Sequence, residues 1–125
     1  MLIYTDVLIW FFKGNKHAQE VIHQYDKFDM SVVTYMELIQ GMRNKIELNQ
    51  FRRFLNSKHV NVIYIDKEIS TKAMFLVESY HLSHSLRLAD SLIAATSLKY
   101  GYSIVTGNDK DYRFITDILI EKFRP

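Results

Sequence analysis

The sequence predicts an α/β fold of three layers, with helices on both faces of a central, mainly parallel sheet of four or five strands. Short runs of apolar and β-branched residues alternate along the chain with amphipathic, helix-period segments, and parallel strands need helical crossovers between them. The chain has 125 residues, 48% of them hydrophobic, one proline and four glycines. A chain of that length buries about two-thirds of the surface that its unfolded form exposes. No linker-like stretch, repeat or low-complexity tract divides it, so residues 1–125 are expected to form one domain.

Each element has a local reason. Leu2–Tyr4 is a short strand, and VLIWFF begins a helix for which Asp6 is read as the cap. Residues 16–27 read as helical, FDMSVV at 28–33 as a strand, and Thr34 as the start of another helix. Residues 47–57 carry Leu48, Phe51, Phe54 and Leu55 at helical spacing, and VNVIYI at 60–65 is a third strand. Asp66 caps a helix over 67–81, where Ile69, Ala73, Leu76, Val77 and Tyr80 form an apolar stripe. A helix over 87–100 ends at Gly101 and feeds the buried strand SIVT at 103–106. NDKDYRFI and DILIEKF then read as a helical turn and a last strand.

Composition excludes several function classes. Without cysteine there is no disulfide framework and no thiolate zinc site, and a cytoplasmic address is expected. No apolar run approaches the roughly 20 residues that span a bilayer, so no membrane role is expected. The net charge of +2 gives no bulk attraction to nucleic acid. Neither a glycine-rich phosphate loop nor a G-x-S-x-G elbow is present.

In open parallel sheets, ligands bind beyond the carboxyl ends of the strands, where strand order reverses. Asp6, Glu37, Asn108 and Asp109 each follow a strand, and Asp90 sits early in the helix before the SIVT strand. Each has an ordinary explanation. Thr34 and Glu37 have the T-x-x-E spacing of a capping box, and Asp6, Asn108 and Asp109 suit helix starts. Asp90 is less easily explained, because Ala89, Leu92, Ile93, Ala94 and Ala95 surround it and an unpaired carboxylate among them is costly. His81 and His84 are read as helix-end or solvated residues, since no third nitrogen or sulfur ligand accompanies them.

MLIYTDVLIWFFKGN at 1–15, SVVTYMELIQG at 31–41 and LRLADSLIAATSLKYGYSIVTGNDKDYRFI at 86–115 resemble, in order and spacing, the three signature regions of PIN-domain VapC toxins. The resemblance implies a PIN-like fold and the activity of a metal-dependent endoribonuclease in a type II toxin–antitoxin pair. In that family, acidic side chains hold Mg²⁺ or Mn²⁺ and RNA phosphodiesters are cleaved. Glu37 matches the family's glutamate, and Asp90 matches the aspartate of its A-D-x-L-I-A-A motif. Asn108 lies where relatives carry Asp or Asn, and Asp111 follows at an often acidic position. The resemblance thus implies Glu37, Asp90, Asn108, Asp111 and Asp6 as catalytic residues, and Asp90, Glu37 and Asp6 as metal ligands.

The chain departs from the family at Tyr4, where an aspartate stands two residues before the position of Asp6. A phenol is neutral near pH 7 and a poor ligand for a hard cation. The implied activity is therefore impaired. Deliberate inactivation, natural decay and re-use of Asp6 are all open at this stage. The family also implies an RNA substrate, a VapB-like antitoxin and a homodimer. Met36, Ile39, Met42, Phe51 and Phe54 are candidates for the antitoxin groove, with core packing as their ordinary explanation. Arg43, Lys45, Arg52 and Arg53 are candidates for RNA contact, with solvated helix charge as theirs. The alternative function is a non-catalytic PIN-fold module that sequesters an antitoxin or RNA. A receiver-like phosphoacceptor reading of Asp6 ranks behind both, because it lacks a paired acid and gives Asp90 no role.

Overall fold

Apolar side chains alternating to the two sides of very short strands organise the molecule. A computed structural model describes all 125 residues. The elements are β1 (Leu2–Ile3), α1 (Thr5–Phe12), α2 (Lys16–His23), β2 (Asp29–Ser31), α3 (Val32–Gln40), α4 (Lys45–Ser57), β3 (Asn61–Ile63), α5 (Lys67–His84), α6 (Leu88–Tyr100), β4 (Ser103–Thr106) and β5 (Leu119–Lys122). A 3-10 turn covers Asp109–Asp111. The five strands form one sheet in the order β3-β2-β1-β4-β5, and every pairing is parallel.

Successive strand residues point to opposite faces, so the paired Leu2 and Ile104 and the paired Ile3 and Val105 build two different cores. On one side Leu2 and Ile104 pack with Ile69, Ala73 and Leu76 of α5 and Ile93 and Ala94 of α6. On the other, Ile3, Met30 and Val105 pack with Val7 and Leu8 of α1, Ile22 of α2 and Phe51 of α4. Burying each such Ile or Leu is worth about 1.5–3 kcal/mol. The sheet is thus covered on both faces, as the alternating elements predict.

Several boundaries differ from the sequence reading. The strand expected over 28–33 pairs only as far as Ser31, opposite Ile63, and α3 begins at Val32. Ser31 is the N-cap and accepts from the Val33 amide, so Thr34 and Glu37 are not a capping box. Asp6 does not cap α1 either, because the helix starts at Thr5 and Asp6 lies in its first turn. The helix expected over 16–27 stops at His23. The one expected from 47 starts at Lys45, where Asn44 accepts from the Glu47 amide. The strand expected over 60–65 shortens to three residues, and α5 continues past 81 to His84. Asp66 caps α5 through the Ile69 amide, and Gly101 ends α6 in the left-handed region, as expected.

The strand order reverses between β1 and β4. From β1 the chain lays β2 and β3 to one side, then returns across the sheet to place β4 and β5 on the other. Tyr4 directly follows β1 and its amide donates to Val105 O at 3.1 Å. Gly107 and Asn108 directly follow β4. The switch point therefore holds the first and last of the signature segments.

Candidate active-site hollow

Two acids separated by 53 residues in sequence face a shared cavity at this rim. Glu37 comes from α3 and Asp90 from the first turn of α6. Tyr4, Ala89, Asn108, Asp111 and the run from His84 at the end of α5 to Arg87 complete the lining. The hollow is about 470 Å³, within the range that accommodates a small ligand or one nucleotide.

Hydrogen bonds fix both acids. Thr5 Oγ1 donates to Glu37 Oε1 at 2.7 Å and lies 3.2 Å from Thr34 Oγ1. One hydroxyl carries one proton, so the shorter contact takes it and Thr34 donates to Thr5 in turn. Asp90 Oδ1 accepts two phenols, Tyr4 at 2.9 Å and Tyr112 at 3.1 Å. The two rings meet edge to face, with centroids 5.6 Å apart. Burial, then the Asp90 charge, pushes the Tyr4 phenol above its ordinary range. Burial, then Tyr4 and Asp90, does the same to Tyr112. Both phenols thus stay protonated and act as donors. No cationic side chain is ion-paired with Glu37 or Asp90.

Asp6 is not brought to this hollow, which corrects its assignment as a catalytic or metal-binding side chain. Its Oδ2 accepts from the Gly107 amide at 2.8 Å, and its Oδ1 from Thr106 Oγ1 at 3.1 Å and the Val7 amide at 2.9 Å. The Asn108 amide donates onward to Thr106 Oγ1 at 3.0 Å. Asp6 therefore fastens the end of β1 to the end of β4 and holds the loop that carries Asn108. Burial raises its pKa, and the bonds from Gly107, Thr106 and Val7 partly offset that.

Gly107 is tightly enclosed, because a Cβ there would lie 3.0 Å from Phe123 O and 3.2 Å from Asp6 Oδ2. Beyond it, Asp109 is neither a side-chain cap nor part of the hollow. It pairs with Arg124 at 3.3 Å, Lys122 at 3.5 Å and Arg113 at 3.9 Å. Burial opposes its charge, but Arg124 and Lys122 hold it below the usual carboxylate range.

The remaining candidates divide. Asn108 and Asp111 line the hollow. Arg43 is engaged by Glu47 in an exposed i,i+4 pair, and Lys45, Arg52 and Arg53 are exposed on α4 without ion-pair partners. Phe51 is 1% exposed and packs in the core, its ordinary explanation. It still floors an apolar groove with Ile9, Phe12, Leu38 and Met42, which Glu37 shares with the acidic hollow. Met36 is half exposed, while Ile39 and Phe54 pack against the core.

Sequence reasoning missed Tyr112 and Arg87, while His84, read as a helix-end or solvated residue, is the exposed last residue of α5. The signal for Tyr112 was its place three residues after Asp109 in a helical turn, too local to show that its hydroxyl reaches Asp90.

The family profile of the PIN domain matches residues 1–116. The chain belongs to the PIN-domain family. Ribonuclease VapC1 of Rickettsia felis (strain ATCC VR-1525 / URRWXCal2) is 26% identical over 121 residues, covering 92% of this chain and 90% of that protein. A toxin-antitoxin complex from Klebsiella pneumoniae contains a chain of the same fold, with a TM-score of 0.80, 24% identity and 98% of each chain covered. VapBC2 from Rickettsia felis, bound to a DNA fragment from their promoter, matches with a TM-score of 0.81 at 14% identity, again over 98% of each chain.

Whether this PIN domain suits a divalent cation is decided by its donors. Magnesium and manganese take several oxygen ligands, and magnesium demands near-octahedral geometry. Here no three His, Cys, Asp or Glu side chains converge closely enough to hold a metal ion. Tyr4 supplies a protonated phenol, and one Asp90 oxygen is occupied by two such phenols. Asp90 Oδ2 and Glu37 Oε2 take no hydrogen bond, so these two acids would hold a cation only with water completing most of its shell.

Proposed function

We propose that this PIN domain is the toxin of a type II toxin–antitoxin pair, built on the plan of a metal-dependent endoribonuclease and impaired by Tyr4. The observation that carries the reading is the meeting of Glu37 and Asp90 in one hollow at the switch point, with the Tyr4 hydroxyl bonded to Asp90. The relationship to Ribonuclease VapC1 supports RNA as the substrate class. Glu37 and Asp90, with Asn108 and Asp111 beside them, are the residues that would face the scissile phosphodiester. A VapB-like antitoxin is the proposed occupant of the groove between α1, α3 and α4. A second copy of the chain is the proposed partner of the exposed Met74, Leu82 and Leu88 on α5 and α6. A cytoplasmic setting belongs to the same proposal.

Tyr4→Asp tests it. A carboxylate at position 4 adds the acidic donor that Glu37 and Asp90 lack and removes one phenol from Asp90. The variant is expected to bind Mn²⁺ and to cleave RNA when Mn²⁺ or Mg²⁺ is added, while the parent chain shows little cleavage. Absence of any gain would remove the assignment of position 4 as a vacated ligand position.

The Tyr4–Asp90 bond also supports a second reading, a PIN-fold module that binds antitoxin or RNA without cleaving. Persistence of binding with no cleavage in either form selects it.

A further inference from the structure

At the end of α5, an aromatic residue that the catalytic reading does not use lines the hollow. His84 is the last residue of α5, Ser85 follows in the left-handed region at φ 55°, and His84 to Arg87 together form one wall of the hollow. The His84 imidazole stacks on Phe114, with ring centroids 4.1 Å apart and planes within 14°. Tyr80, one turn earlier, packs its ring 5.2 Å from Phe114 and 6.0 Å from His84. Nδ1 of His84 lies 2.7 Å from Ser83 Oγ. The residue is nevertheless exposed, whereas Phe114 behind it is partly buried against the core.

An exposed ring held flat in this way is pre-organised for stacking, because its rotamer is fixed before a ligand arrives. Other exposed aromatics, such as Trp10, Tyr64, Phe75 and Tyr100, do not line the hollow. Arg87, exposed and part of the same wall, carries a guanidinium, a group suited to a phosphate. An unstacked nucleobase next to a phosphodiester in the hollow would meet both groups, since single-stranded RNA is read by stacking on aromatic planes and by charge on its backbone.

We propose that His84, backed by Phe114, is a nucleobase-stacking subsite for single-stranded RNA, and that Arg87 holds the adjoining phosphate. The inference rests on the RNA reading above and adds where the neighbouring base sits. It assigns the α5–α6 turn to substrate selection and leaves Glu37 and Asp90 to the phosphodiester.

Binding of a short, end-labelled single-stranded RNA to the full chain in EDTA, followed by fluorescence anisotropy, tests this without cleavage. His84→Ala is expected to weaken binding about tenfold, and His84→Phe, which keeps a stacking plane, to stay within about twofold of the parent. An RNA of abasic riboses is expected to bind the parent and His84→Ala equally. Arg87→Gln is expected to weaken binding and to lower the salt dependence by about one counterion. Unchanged affinity in His84→Ala, or equal loss in His84→Phe and His84→Ala, would overturn the stacking subsite alone. Failure of the parent chain to bind RNA would overturn the RNA reading together with the subsite.

Discussion

Asp6 and Asp109 flank Gly107 on the same rim, yet their surroundings make them opposite kinds of acid. Asp6 is held by neutral donors, the Gly107 and Val7 amides and the Thr106 hydroxyl, and burial raises its pKa. Asp109 is held by Arg113, Lys122 and Arg124, and its pKa is lowered. Asp90, which lines the hollow, is also held by neutral donors, but both phenols reach the same oxygen, and no cation pairs with it. The comparison teaches that an acid at a strand end is structural when the chain itself satisfies it, and available to a ligand when the chain leaves part of it to the cavity.

The largest effect is expected at Asp6. Asp6→Ala removes the acceptor for the Gly107 amide and the Thr106 hydroxyl, and a buried donor left unpaired costs about 1–3 kcal/mol. A loss of about 3 kcal/mol in urea denaturation is expected for the two together, along with a looser loop at Asn108. A loss near zero would mean that Asp6 does not tie β1 to β4.

A smaller effect is expected at the hollow. Tyr112→Phe keeps the buried ring and removes one of the two donors to Asp90 Oδ1, so a loss of about 1 kcal/mol is expected in the same measurement. Destabilisation equal to that of Asp6→Ala would erase the distinction between the tied acid and the available one.

The smallest effect is a difference in pH dependence. A raised carboxyl pKa means that the folded state binds the proton more tightly, so the stability linked to Asp6 is full below its unfolded pKa and is lost as pH rises through its folded pKa. For Asp109 the sign reverses: its contribution is present above the unfolded pKa and is lost as pH falls through the lowered folded value. Between about pH 3 and pH 7, the stability difference between the parent and Asp109→Asn is expected to grow with pH, and that between the parent and Asp6→Asn to shrink. Parallel trends in the two differences would contradict the contrast.

Much of this was legible from particular residues. Asp90 stood out because an acid crowded by alanines, leucine and isoleucine needs a partner, and the structure supplies two. Asp66 and Gly101 were readable because a cap and a helix stop act over three or four residues. Glu37 was readable as an acid of the helix after β2, but it lies past the first turn of α3 and not at its start. T-x-x-E at 34–37 fits a capping box, while Ser31 starts the helix three residues earlier because β2 loses its partner after Ile63. The sequence alone could not choose between two plausible starts. Asp6 was misassigned for a related reason: its partners, Thr106 and Gly107, lie 100 and 101 residues away.

By itself, the sequence determined the alternation of strand and helix, the two-sided burial of the sheet and the family, because periodicity and short motifs are properties of neighbouring residues. Only the tertiary structure decided which acids share the hollow, that Tyr112 and Tyr4 both bond to Asp90, and that His84 stands at its wall. Those facts depend on strand order and on the turn between α5 and α6. A parallel sheet brings together side chains from remote segments, so their hydrogen bonds exist only once the strands have taken their places.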